Sequence, residues 1–267
     1  MRHMSAVAIV AVMATAGAEG QTGRRDELVA RASAYVVDLL ARFTSVVAEE
    51  RYVQETTSPH RRRELRSDFL LVKPPGSDEW FQFRDVVSVD GKEVSDREQR
   101  LTALFLNEPK SALARAQEVT AEGSRFNLES IGTLNKPLLA LAYLQPRYAS
   151  RFRFTVGPID KSVGDGVRLI QFTEWARPTI LRRSAANGDL PARGQIWVEE
   201  ASGRVLKTAL RAAEAEIVTT FGFDDALQQS VPLEMREVYR YRSYDITGLA
   251  TYGRFRRFEV RTEETIR

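Results

Sequence analysis

The chain has no cysteine, and its only histidines in 267 residues are His3 and His60. Lacking cysteine, it can form no disulfide, thiolate nucleophile or cysteine-based zinc site. Its stability must come from a packed core, for which a hydrophobic content of 43% is adequate. The scarcity of histidine excludes a histidine-rich metal site, and a Ser-His-Asp triad would have to use His60. That residue sits in Ser58-Pro59-His60-Arg61-Arg62-Arg63, which reads as a polar turn. Beyond the N-terminus no run approaches the roughly 18 apolar residues of a transmembrane helix. Neither sign of charge dominates: 39 Lys and Arg stand against 36 Asp and Glu, a formal net charge of +3. Interspersed in this way, the charges read as a solvated surface rather than a nucleic-acid footprint. Gly164-Asp165-Gly166 is a turn, since no helix start with Lys-Ser or Lys-Thr follows it. The acidic clusters lack calcium-loop spacing. No metal and no cofactor are expected.

The N-terminus is the most informative stretch present. Arg2 and His3 precede an apolar run from Ala6 to Ala16, broken only by Thr15, and Ala16-Gly17-Ala18 supplies a small-x-small cleavage pattern. Residues 1–18 thus read as a secretory signal peptide, too short to span a bilayer. An Ala-rich N-terminal helix is the other reading of the same residues. No cysteine follows the segment, so an N-terminally lipidated lipoprotein is excluded. The expected location is the periplasm, with secretion as the second choice.

Residues 24–43 carry Leu28, Ala32, Tyr35, Val36, Leu39, Leu40 and Phe43 at three- and four-residue spacing, which predicts an amphipathic helix. A β-prone stretch runs to about Thr57. Further strands are predicted at 65–73, ended by Pro74-Pro75-Gly76, and at 79–89, closed by Asp90-Gly91. In the latter, Phe81, Phe83, Val87 and Val89 share one face against Gln82, Arg84 and Ser88, with Asp85 the exception on the apolar face. Helices are predicted at 95–106, opened by Ser95 and Glu98 as a capping box, at 110–122 behind Pro109, and at 134–144, ended by Pro146. The rest reads as strands at 151–156, 167–176, 194–199, 204–212, 215–223, 234–242 and 248–260, with a long polar loop at 177–193. Pro232 marks a strand start. Many consecutive strands argue against βαβ repetition. The fold class is α+β: a large curved antiparallel sheet with helices packed on one side, in one domain over 19–267 with a helical insertion at about 95–145.

Candidate chemistry is sparse. Glu49-Glu50 and Glu199-Glu200 are adjacent carboxylates, but neighbours on a strand point to opposite faces, so neither pair is a dyad by itself. Arg61, Arg62 and Arg63 could meet phosphate or anionic headgroups, yet Glu64, Arg66 and Asp68 dilute their field. Aromatic residues are spread over many strands. They suit either an ordinary core or the lining of an apolar cavity covered by residues 134–144.

The stretch Gly194-Gln-Ile-Trp-Val-Glu-Glu-Ala-Ser-Gly-Arg-Val-Leu-Lys-Thr208 resembles a hairpin of periplasmic lipoprotein carriers of the LolA/LolB-like and RseB-like superfamily. A strand with a Gly-x-apolar-Trp pattern turns at Ser-Gly and returns to a basic residue. The leading helix and the signal peptide are similar too. The long helical insertion and the 177–193 loop depart from a minimal carrier. Pro232-Leu-Glu-Met-Arg-Glu-Val-Tyr-Arg and Ala250-Thr-Tyr-Gly-Arg-Phe-Arg-Arg-Phe also look like uncharacterised exported bacterial proteins. The resemblance implies an unclosed half-barrel with helices on its concave side, a hollow for lipid or lipoprotein acyl chains, and no enzymatic activity. Phe81, Phe83, Phe152, Phe154 and Trp197 are the candidates for the concave surface, and Leu138, Leu139, Leu141 and Leu144 for its cover. An envelope protein-interaction or sensor module, with a protein partner and no small-molecule ligand, is the alternative.

Overall fold

A computed structural model describes residues 16–72, 81–100, 118–119, 121–128, 134–182 and 188–257. Residues 1–15 of the expected signal peptide lie outside these, as do 101–117, 120 and 129–133 of the predicted insertion.

Helix α1 (Ala16–Phe43) leads the chain. From Glu27 onward its buried residues are Leu28, Ala32, Val36, Leu39 and Phe43, one stripe at helical spacing. Two strands, β1 (Val46–Thr57) and β2 (His60–Val72), follow as a hairpin, then β3 (Phe81–Val89) and the short β4 (Lys92–Glu93). His60 and Arg61–Arg63 are therefore strand residues next to the turn, with His60 paired to Thr57, rather than a loop. Further along the chain come two one-turn helices, α2 (Leu139–Ala142) and α3 (Pro146–Ala149). Proline at 146 does not stop helical structure, as expected from its neighbours, but opens α3 at the first-turn position where its missing N–H costs nothing. The predicted helix over 134–144 shrinks to those four residues of α2.

Seven strands complete the chain: β5 (Phe152–Ile159), β6 (Val167–Glu174), β7 (Arg193–Glu199), β8 (Val205–Ala212), β9 (Ala215–Asp224), β10 (Gln229–Arg240) and β11 (Asp245–Arg257). Pro232 lies inside β10, not at its start. It sits at a register shift between Pro232 and Glu234, where the ladder is already interrupted.

All eleven strands form one antiparallel sheet, in the order β4-β3-β2-β1-β11-β10-β9-β8-β7-β6-β5. This is a meander entered in the middle, with first and last long strands paired side by side. The sheet does not close. Among the described residues its edge strands are β4 and β5, and the predicted insertion lies between them in the chain. One face of the sheet, here the inner face, carries α1 and residues 138–144 in a single apolar cluster. Gly203 lets the β7–β8 turn meet α1. Its φ is +77°, and a Cβ there would stand 2.7 Å from the Arg31 carbonyl.

Candidate ligand-binding site

The inner face is where the predicted cover and part of the predicted lining meet. Leu138, Leu139, Leu141 and Leu144 are all buried there, with Phe152 and the half-buried Phe154. Tyr143 stacks on Phe152 at 4.5 Å between ring centroids and meets Phe172 edge-on at 5.6 Å. The segment fills the half-barrel: Leu141 and Tyr143 have no exposed surface. It is held by few polar ties. Ser33 Oγ on α1 donates to the Leu144 carbonyl at 2.6 Å, and the Leu138 N–H donates to Gln82 Oε1 at 3.0 Å.

Three of the expected lining residues lie elsewhere. Phe81 and Phe83 are on the outer face, clustered with Leu70 and Val119. Trp197 is also on the outer face, its Nε1–H donating to Asp160 at 2.8 Å and Lys207 lying over its ring at 4.8 Å. For β3 the reason is a register shift where Ser67 follows Arg66, opposite Val86 and Ser88. Gln82 and Arg84 thereby turn inward, and Asp85 turns outward to Arg97. In β7 residues Ile196, Trp197 and Val198 are all buried, so burial does not alternate and the apolar pattern cannot tell the faces apart.

Arg84 belongs to a polar network on the inner face that the sequence reading missed. Its guanidinium grips Glu50 of β1 through two N–H groups, one at 2.5 Å, and also donates to Asn135 Oδ1. It lies 4.6 Å over the Tyr52 ring. Tyr52 Oη donates to Glu237 of β10 and accepts from Gln54 Nε2 at 2.8 Å. Glu237 further accepts from Tyr239 Oη at 2.8 Å and from the Asn135 N–H at 3.2 Å. Gln54 Oε1 accepts the Leu128 N–H at 2.8 Å, and Tyr239 accepts the Leu134 N–H. The network thus ties both described ends of the 127–135 crossing segment to the sheet. Space for it comes from Gly248 of β11: a Cβ there would lie 2.7 Å from Glu237 Cγ and 2.8 Å from Tyr52 Oη.

Its electrostatics follow from burial. Burial pushes the Glu237 carboxyl above its ordinary range, although Tyr52, Tyr239 and Arg84 pull the other way. Burial also opposes the charge of Arg84, but Glu50 beside it keeps the guanidinium charged. The same burial raises the phenols of Tyr52 and Tyr239, so both act as hydrogen-bond donors. Two signals of this network stand in the sequence. Glu50, Tyr52 and Gln54 alternate in phase with Val46 and Ala48, and Glu237 alternates with Met235 and Tyr239. No His, Cys, Asp and Glu group among the described residues is arranged to hold a metal ion.

No protein-family model matches the chain, and no curated protein matches it. Solved structures do resemble it. One is a putative outer membrane lipoprotein-sorting protein domain from Vibrio parahaemolyticus, at 12% identity and TM-score 0.40, over 88% of this chain and 95% of that one. Another is a LolA superfamily protein from Nitrosomonas europaea, at 10% identity and TM-score 0.34, over 91% and 99%. A third is a DUF1329 family protein from Desulfovibrio piger, at 9% identity and TM-score 0.45, over 89% and 92%. At these identities the likeness is one of fold.

Proposed function

We propose that the chain is an exported, non-enzymatic binding protein of the bacterial envelope. In this reading the half-barrel holds a lipid, a lipoprotein acyl chain or another apolar ligand in the place that residues 138–144 occupy in this structure. One observation carries it. Beside α1, the inner face is covered by residues 138–144, a connecting segment whose only regular element is the one-turn helix α2. A segment of this kind can leave as a unit.

The leucine and acyl-chain contributions are of comparable size. Withdrawing four leucines from the core costs about 6–12 kcal/mol, at about 1.5–3 kcal/mol each. A sixteen-carbon chain taking their place regains roughly 13 kcal/mol at about 0.8 kcal/mol per CH₂. Residues 1–18 would direct the protein to the periplasm. No helix among the described residues is long and apolar enough to cross a membrane.

The alternative, a protein-interaction or sensor module with no small-molecule ligand, is favoured by the dry packing of Leu141 and Tyr143. Photo-crosslinking separates the two readings. A diazirine-labelled palmitate should label peptides containing Phe152, Phe154 and Leu139 in saturable fashion, with competition by unlabelled palmitate. Labelling confined to the outer face, or none, favours the interaction module.

A further inference from the structure

The outer face of β5–β8 has a different character. Cross-strand pairing sets Arg153 opposite Thr173, Thr173 opposite Arg193, and Arg193 opposite Arg211. Residues paired in this way share a face, so three exposed arginines stand in one row across four strands, about 4.8 Å from strand to strand. Arg193 and Arg211 are directly opposed like charges, an arrangement that destabilises a sheet. Arg211 is offset by Glu216 at 3.0 Å. The Arg193 side chain has no ion-pair or hydrogen-bond partner among the described residues. The parallel row places Gln171 opposite Gln195, and these amides also lack side-chain partners among the described residues.

An open groove of about 490 Å³ runs between the rows, lined by Gln171, Gln195, Trp197, Arg193, Lys207 and Arg211 among others. Beside it, Trp175 is 55% exposed, with Arg153 5.9 Å over its ring.

We propose that this face binds an acidic polysaccharide, a glycan with a carboxylate on successive sugars. Guanidinium forks pair with carboxylates two N–H groups at a time. Side-chain amides both donate and accept, as sugar hydroxyls require. An exposed indole offers a flat apolar surface for the C–H face of a sugar ring. Arg193 and Arg211 stand one strand apart and Arg153 two strands from Arg193, so neighbouring arginines are separated by about one or two strand spacings, comparable to one or two pyranose units of an extended chain. A peptide fits less well. The groove itself lies over β6, β7 and β8, interior strands with both ladders occupied, and the edge strand β5 contributes none of its lining, so strand addition would not fill it.

Isothermal titration calorimetry of the full chain tests this, with a galacturonate oligomer, a neutral malto-oligomer of equal length and a glutamate peptide of equal charge. The galacturonate oligomer should bind, more weakly as salt rises. Arg193→Glu should weaken it about tenfold or more, as expected for a reversed charge at a contact. That variant should unfold at the same or a higher denaturant concentration, because it replaces a like-charge pair with an opposite one. Gln171→Ala with Gln195→Ala should weaken the galacturonate several-fold. Equal binding of the malto-oligomer or of the glutamate peptide would overturn the proposal. So would unchanged affinity in Arg193→Glu, or no binding of the galacturonate at all.

Discussion

Gly248 and Gly253 lie in the same strand, β11, and replacing each by alanine gives a matched test of how tightly the polar network is packed. In either position the change removes conformational freedom from the unfolded chain, a gain of about 0.4–1 kcal/mol where the folded state accepts a methyl group. At Gly253 nothing lies within 4 Å of the new Cβ. At Gly248 the methyl would press on Glu237 Cγ at 2.7 Å, Glu237 Oε1 at 2.8 Å and Tyr52 Oη at 2.8 Å. Tyr52 and Glu237 are both buried and hydrogen-bonded to each other, so neither can yield without losing a partner. Overpacking of this kind costs about 1–3 kcal/mol. Urea unfolding should therefore place Gly253→Ala at or slightly above the parent and Gly248→Ala about 1–3 kcal/mol below Gly253→Ala. Equal stability of the two variants would refute the close-packed account of the network.

Other consequences are independent of that pair. Truncating Arg84 to alanine strands Glu50 in the core and should cost about 3–5 kcal/mol by chemical denaturation, whereas the double variant Glu50→Leu, Arg84→Leu should lose less. An equal or larger loss in the double variant would contradict this. Because burial raises the Glu237 carboxyl, the unfolded chain releases this proton first as pH rises. Its contribution is whole below the ordinary value of about 4.3 and declines as pH climbs through the folded-state value. The stability of the parent relative to Glu237→Gln should fall with pH across that window, and a flat difference in paired denaturation curves would count against it. Ser33→Ala removes the bond to the Leu144 carbonyl and should lower stability by about 1 kcal/mol, with faster amide exchange in residues 138–144. Unchanged exchange would show that this tie does not hold the cover.

Much of the fold was legible because period-two alternation is strong where one face is buried and the other wet. β1, β9 and most of β11 follow that rule, and the leading helix carries its stripe from Leu28 to Phe43. The site was legible only in part. Phe152, Phe154 and the four leucines meet as their apolar character demands. Phe81, Phe83 and Trp197 do not, because a register shift reverses parity and a strand covered on both sides hides it. Alternation sets Arg84 on the face opposite Phe81 and Phe83, so an inward Phe81 and Phe83 would turn it outward. Its inward place depends on Glu50, thirty-four positions away, and no local pattern encodes that pairing. The predicted helix at 134–144 is longer than α2 because apolar runs alone do not separate a helix from an irregular plug.

The central claim is that the half-barrel exchanges its own plug for an apolar ligand. Native mass spectrometry of the protein purified from a Gram-negative periplasm, followed by organic extraction of the bound material, tests it most directly. The account predicts a stoichiometric acyl species, lost when Phe154 is replaced by a charged residue. A clean ligand-free mass that stays unchanged after incubation with excess fatty acid and phospholipid would contradict it.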